Sequence, residues 1–278
     1  MKKHTVLILF IFATTFALAQ KKEKIIGSKT ILIENKEIGN FESIEISDNI
    51  EVHLDKGEKC KLKIEADENL HNFINIDLTD KILRISTSKT AINFKRLIVR
   101  ITYTNDLKMI TSKEKSKIYA IEGIELNEIT IKSFNNSKLF MNVNTNNFVL
   151  QSNDDSEIEL NLKSEKATIE LSNNTNLKAL ITSNNLKCDM YQKATAKIEG
   201  DVDKANIRLD NNVKFSGNNL DIKNAQLLAE SNSNCSINVD SSISIDAVDS
   251  AEIELYGNQK IEMKRFTDNA SLRKKPNK

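Results

Sequence analysis

What this chain lacks narrows it before anything it contains. Its single proline, Pro276, excludes proline-rich linkers, and its seven glycines exclude collagen-like repeats. Neither a glycine-rich phosphate loop nor a G-x-S-x-G elbow is written anywhere in it. Tryptophan is absent and tyrosine occurs four times, which argues against the aromatic platforms common in sugar-cleaving sites. His53 and His71 are the only histidines after the N-terminal segment, and neither has a Cys or His near it in sequence, so a zinc site is not expected. The three cysteines, Cys60, Cys188 and Cys235, fall where neighbouring segments carry aliphatic residues. They read as buried thiols acting as small hydrophobes rather than as a disulfide framework. After the N-terminus, no apolar run approaches the roughly 18 residues that a spanning helix needs.

The N-terminus itself reads as an export signal. Lys2 and Lys3 precede an apolar run from Val6 to Phe16, and Ala17-Leu18-Ala19 supplies an A-x-A cleavage site. A mature chain would start near Gln20, and no cysteine stands there to take a lipid. Removing Lys2 and Lys3 changes the net charge from +1 to −1 (+1 − 2). The remaining charges are interspersed along the chain. Neither nucleic acid nor an acidic polymer is therefore expected as an electrostatic partner.

What is present in abundance is a repeat. Polar knots recur as SFNNS (133–137), SNDDS (152–156), SNNTN (172–176), DNNVK (210–214) and ESNSN (230–234). Each is flanked by short apolar alternations such as Ile158-Glu-Leu160-Asn-Leu162. Equivalent positions at 131, 150, 171, 190, 209, 229 and 247 are 18 to 21 residues apart. Period-two alternation means strands, and a fixed period of this length means a stacked, quasi-one-dimensional fold. The expected architecture is all-β: a parallel β-solenoid with coils of about 20 residues. The knots are its corners, where Asn and Asp tolerate the left-handed backbone of a sharp turn.

Five segments are predicted on this reading. Residues 1–19 form the signal peptide, and 20–37 a flexible leader of the mature chain. Residues 38–104 form a strand-rich N-terminal cap of antiparallel strands or irregular first coils. Residues 105–264 carry the solenoid repeats, and 265–278 a basic tail that frays. A cap is required because an open coil edge is a template for aggregation.

The run Phe41-Glu-Ser-Ile-Glu-Ile-Ser-Asp-Asn-Ile-Glu-Val-His-Leu-Asp-Lys-Gly57, followed by Ile64-Glu-Ala-Asp-Glu-Asn-Leu70, resembles the opening of the head-GIN-domain family. These are exported bacterial proteins classed by fold analogy as auto-transporter adhesins. The likeness runs over about 38–275, with Asn and Asp where the family writes Ser-Gly at the corners. The resemblance implies a right-handed β-solenoid with an adhesive role, and it brings no catalytic residues.

The candidate sites are few. Asp154, Asp155 and Glu157 are the densest carboxylate cluster for a metal or for hydrolysis; as a solvated corner they need no such role. Asp249-Ser250-Ala251 is similar to a short bacterial O-glycosylation acceptor, which makes Ser250 a candidate modification site. Outward rows of Asn, Ser and Thr, repeated at strand spacing, offer ladders of hydrogen bonds to a glycan. The sequence therefore predicts an exported, non-enzymatic, cofactor-free solenoid with an adhesive or structural envelope role. Its partner is left open, with a glycan or a cell-surface protein as the candidates, and the same polar rows need do no more than keep the rod soluble. The alternatives are a periplasmic scaffold and, third, a polysaccharide lyase or glycosidase on a β-helix. Oligomeric state is left open.

Overall fold

The structure, a computed structural model, describes residues 22–276. The expected signal peptide lies outside the described residues. Twenty strands follow one another among the described residues. The first nine are β1 (Lys24–Ile26), β2 (Ile31–Glu37), β3 (Ser43–Ile46), β4 (Glu51–Lys56), β5 (Lys61–Asp67), β6 (Ile74–Thr79), β7 (Ile82–Thr87), β8 (Thr90–Ile92) and β9 (Leu97–Tyr103). A 3-10 helix, Glu68–Phe73, separates β5 from β6. Then come β10 (Met109–Ser112), β11 (Lys117–Ser133), β12 (Lys138–Ser152), β13 (Glu157–Leu171), β14 (Asn176–Tyr191), β15 (Thr195–Asp210), β16 (Lys214–Ala229) and β17 (Asn234–Ala247). The last three are β18 (Glu252–Tyr256), β19 (Lys260–Phe266) and β20 (Ser271–Lys274). From β10 to β20 every pairing is parallel, and the chain winds a β-solenoid of about nine turns.

The corners form where the knots are. Asn135 and Asn136, Asp154 and Asp155, Asn173 and Asn174, Gln192 and Lys193, and Asn211 and Asn212 all have positive φ. Two consecutive left-handed residues turn the second N–H out of its own coil and toward the next. Asn136 N donates to Asp154 O at 2.8 Å, Asp155 N to Asn173 O at 3.0 Å, and Asn174 N to Gln192 O at 3.2 Å. Each corner is thus stitched to the following one as well as turned. Beneath the polar surface sit small hydroxyls: Ser156 Oγ donates to Asn153 O and Thr175 Oγ1 to Ser172 O, both at 2.7 Å. These bonds give the buried Ser156 and Thr175 hydroxyls their partners inside the bend.

The inward residues form ladders. One runs Leu139, Ile158, Leu177, Ala196, Phe215, Cys235, Ile253, and all seven are buried. Bulky Phe215 follows small Ala196, so the column stays filled although its members differ in volume. Each large apolar member contributes about 1.5–3 kcal/mol by leaving water. The cysteines sit in this core as free thiols, and burial pushes the Cys188 thiol up to about 12.

The N-terminal end is closed by a change of strand direction. β5 runs antiparallel to β9, β2 antiparallel to β5, and β6 antiparallel to β7, while β3 and β4 begin the parallel stack. This region therefore holds antiparallel pairs beside the parallel pairs β3–β7 and β4–β9.

Two expectations are corrected. The leader is not loose from Lys22 onward, because all seven residues of β2 pair with β5. The buried Asp67 carboxylate also holds this leader, accepting from Lys29 N at 2.8 Å, Arg96 N at 2.9 Å and Lys95 N at 3.0 Å. The basic tail is likewise not frayed over its length, since β20 pairs with β18 and continues the solenoid to Lys274.

Candidate functional site

Stacked coils place equivalent residues about 4.8 Å apart, so a residue type repeated at one position becomes a row across the surface. Two such rows border a long groove. The first is Lys166, Asn185, Lys204, Asn224, Ser242 and Lys260; the second is Thr168, Lys187, Asn206, Gln226, Ser244 and Glu262. Between them runs a floor of Ala167, Leu186, Ala205, Ala225, Ile243 and Ile261. The side chains of Ala167, Leu186, Ala205, Ala225 and Ile243 turn into the core, so the floor lies below the two outward rows and the groove between them holds about 700 Å³. It crosses six coils, a length on the order of 24 Å at the strand spacing.

The charge in this groove is one-sided. Lys166, Lys204 and Lys260 have no ion-pair partner among the described residues. Lys187 is held by Asp189 at 2.9 Å, and Glu262, the only carboxylate of the lining, is held by Lys264. Amide and hydroxyl groups alternate with the free ammoniums, and Ser242 Oγ donates to Asn224 Oδ1 at 2.7 Å. The arrangement offers cations and two-way hydrogen bonding to an extended ligand. It contains no paired carboxylates and no nucleophile with a base beside it.

A second groove, of about 460 Å³, lies on the other strand run of each coil. Phe140 lines it with Asn142, Asn161 and the exposed Ile121 and Leu180. Phe140 stacks on Tyr119 at 4.8 Å, and Tyr119 on His53 at 5.1 Å. This column of rings was missed in sequence because its members lie 66 and 21 residues apart, in a cap strand and two coils (119 − 53 and 140 − 119). The free lysine row was missed for the same reason, since charges scattered along the chain become collinear only in register.

The candidates from sequence stand elsewhere. Asp154 and Asp155 are the two left-handed residues of one corner, and Asp154 accepts from Asn173 Nδ2 at 3.2 Å. Glu157 is bound to Lys138 at 2.6 Å. The three line neither groove. Among the described residues no group of three His, Cys, Asp or Glu side chains is placed to hold a metal ion. His53 meets Glu51 at 2.7 Å, and His71 meets Leu32 O at 3.1 Å, so each is engaged locally. Ser250 is exposed at its corner, beside the left-handed Asp249.

A parallel solenoid with an antiparallel cap and polar surface ladders defines the class. Within it, the family model described as "putative auto-transporter adhesin, head GIN domain" matches residues 40–179 and 149–258, and the chain belongs to that family. No curated protein matches it. Three solved structures share the fold. A putative adhesin from Parabacteroides merdae is 17% identical, with TM-score 0.64, and the alignment covers 91% of this chain and 99% of that one. A putative adhesin from Parabacteroides distasonis is 13% identical at TM-score 0.63, covering 91% and 100%. A third, named a putative lipid binding protein and also from Parabacteroides distasonis, is 15% identical at TM-score 0.57, covering 91% and 99%. At these identities the likeness shows the fold alone. No helix among the described residues is long and apolar enough to cross a membrane.

Proposed function

We propose that this chain is an exported, non-catalytic adhesive protein whose long groove holds an extended, anionic surface glycan. The observation that carries this reading is the collinear set Lys166, Lys204 and Lys260, unpaired and interleaved with Asn185, Asn224 and Ser242 along six coils. Three free ammoniums in one line leave a positive stripe that a nearly neutral chain would otherwise cancel. A polymer with regularly spaced carboxylate or sulfate groups neutralises that stripe, while its hydroxyls pair with the amides. This revises the expectation from sequence that no acidic polymer would be a partner. The non-catalytic reading is supported by the corner carboxylates Asp154, Asp155 and Glu157 lining neither groove.

The test is binding of the purified chain to immobilised polygalacturonate and heparin, with dextran as the neutral control. Retention of the anionic polymers that weakens with salt and disappears in the K166Q/K204Q/K260Q variant supports the reading. Equal retention of dextran, or full binding by the variant, overturns it. Protease shaving of intact cells beside a periplasmic control addresses location. Loss of the protein places it at the surface, and full protection redirects the reading to a periplasmic partner. Ser250, exposed and next to Asp249, is proposed as a glycan acceptor. An intact mass of native protein equal to that of the bare chain removes that assignment.

A further inference from the structure

The last coil breaks a rule that every earlier coil keeps. Ile261 continues the ladder of Ile243, Met263 that of Ile245, and Phe266 that of Ala247. Ile243, Ile245 and Ala247 are at most 1% exposed, whereas Ile261, Met263 and Phe266 are 43%, 45% and 39% exposed. β19 pairs with β17 along one edge, and no strand among the described residues pairs with the other. An open row of backbone donors and acceptors beside exposed apolar side chains is a surface prepared for another strand.

We propose that the outer edge of β19 pairs antiparallel with β19 of a second copy, making a two-fold, tail-to-tail dimer centred on Met263. The sequence of the edge selects this register. Centred on Met263, the pairing sets Glu262 opposite Lys264 on both sides of the axis and Met263 opposite itself. Centred one residue earlier, Glu262 meets Glu262 and Lys260 meets Lys264. Centred one residue later, Lys264 meets Lys264. Like charges directly opposite destabilise a strand pair and opposite charges favour it. Only the Met263 register among these three is therefore compatible in charge.

The symmetry also explains how so apolar an edge avoids open-ended growth. A two-fold contact uses the same edge on both copies and closes. The register irregularity after Met263 keeps the shared ladder short. The other half of the terminal coil is guarded by Arg273, Lys274 and Lys275, a basic edge that repels its own copy.

Light scattering coupled to size exclusion, run on the purified chain over a concentration series, tests the proposal. A dimer that dissociates on dilution is expected. E262K is expected to weaken it at least tenfold, K264E likewise, and the E262K/K264E double variant to restore it, since the swap keeps opposite charges facing. M263C is expected to form a disulfide-linked dimer under mild oxidation. The three native thiols are buried and leave that crosslink to position 263. Thermal melts of all four reduced variants, run at a concentration where the parent is monomeric, should match the parent, which separates lost pairing from lost folding. A monomer at every concentration overturns the proposal. So does a dimer that fails to crosslink through M263C or ignores the charge swap.

Discussion

The two ends of this solenoid solve the same problem differently. At the N-terminal end the chain reverses direction: β2, β5 and β6 run antiparallel to their neighbours and cover the first coils, so Ile64, Ala66 and Leu83 are buried. At the C-terminal end the parallel winding simply continues, and the ladder positions of β19 face outward. The difference shows what a coil contributes to its neighbour. An aliphatic side chain in this fold is buried by the next turn, not by its own, so the same residue type in the same column has two fates. Closing an end requires strands that break the repeat. An end that keeps the repeat stays open to a partner.

Ile243 and Ile261 give the most direct way to break that comparison, since they occupy one ladder in consecutive coils. Ile243→Ala should cost about 3 kcal/mol, within the range for a buried aliphatic truncation. Ile261→Ala should cost about 1 kcal/mol or less, because much of its side chain already meets water. Urea unfolding of both variants at a concentration where the chain is monomeric reads the difference. Equal losses would mean that the terminal coil is as covered as the interior.

Asp67 probes the closed end. Asp67→Ala leaves the N–H groups of Lys29, Lys95 and Arg96 without their acceptor and should cost about 2–3 kcal/mol. The loss should appear locally, as faster proteolysis within 22–37, while the central coils keep their protection.

Acid should act on the same end. The Lys63 ammonium at 2.9 Å, with Arg100 at 3.1 Å, holds the Glu65 carboxyl at about 2 despite its burial, against a usual 4.5. For Asp67, burial pulls upward, but the N–H donors of Arg96, Lys29 and Lys95 outweigh it and the net displacement is downward. Carboxyls with depressed values contribute stability that is complete above their unfolded values and is lost as pH falls through the folded ones. The cap should therefore loosen between about pH 4.5 and 2, ahead of β13 to β16. Circular dichroism alongside proteolysis of 22–103 across that range checks the order.

The smallest effect concerns the corners. Gln192 and Lys193 hold left-handed backbone without the local side-chain bonds that Asn and Asp supply. Gln192→Gly should stabilise by about 0.5–1 kcal/mol, and Asn173→Gly should change stability by a few tenths at most, since glycine takes positive φ without steric cost. Melting temperatures of the two variants, measured side by side, give the comparison.

Much of this architecture was legible in the residues. The knots marked the corners because a repeated left-handed turn leaves a compositional trace, and the flanking alternation marked the buried columns. The buried thiols were legible too, since Cys188 and Cys235 stand where Ile and Leu stand elsewhere. Strand direction was not legible, because period-two alternation is the same in parallel and antiparallel strands. That is why 38–104 allowed two descriptions. The leader was misjudged because β2 and Asp67 hold it through partners 24 to 38 residues away. The groove was hidden by uneven steps. Lys166, Lys204 and Lys260 align through successive offsets of 19, 19, 20, 18 and 18 residues, with register irregularities at Lys197/Glu199, Gly217/Asp221 and Ile222/Asn224.

Hydrogen exchange followed by mass spectrometry, at two protein concentrations, tests the contrast between the ends most directly. In dilute solution, peptides spanning 61–67 and 97–103 should resist exchange as strongly as the central coils, while 260–266 exchanges fastest of the strands. At high concentration 260–266 should gain protection and the cap should not change. Protection of 260–266 equal to that of the central coils in dilute solution would contradict an open C-terminal end. Rapid exchange across 61–67 would contradict a closed N-terminal one.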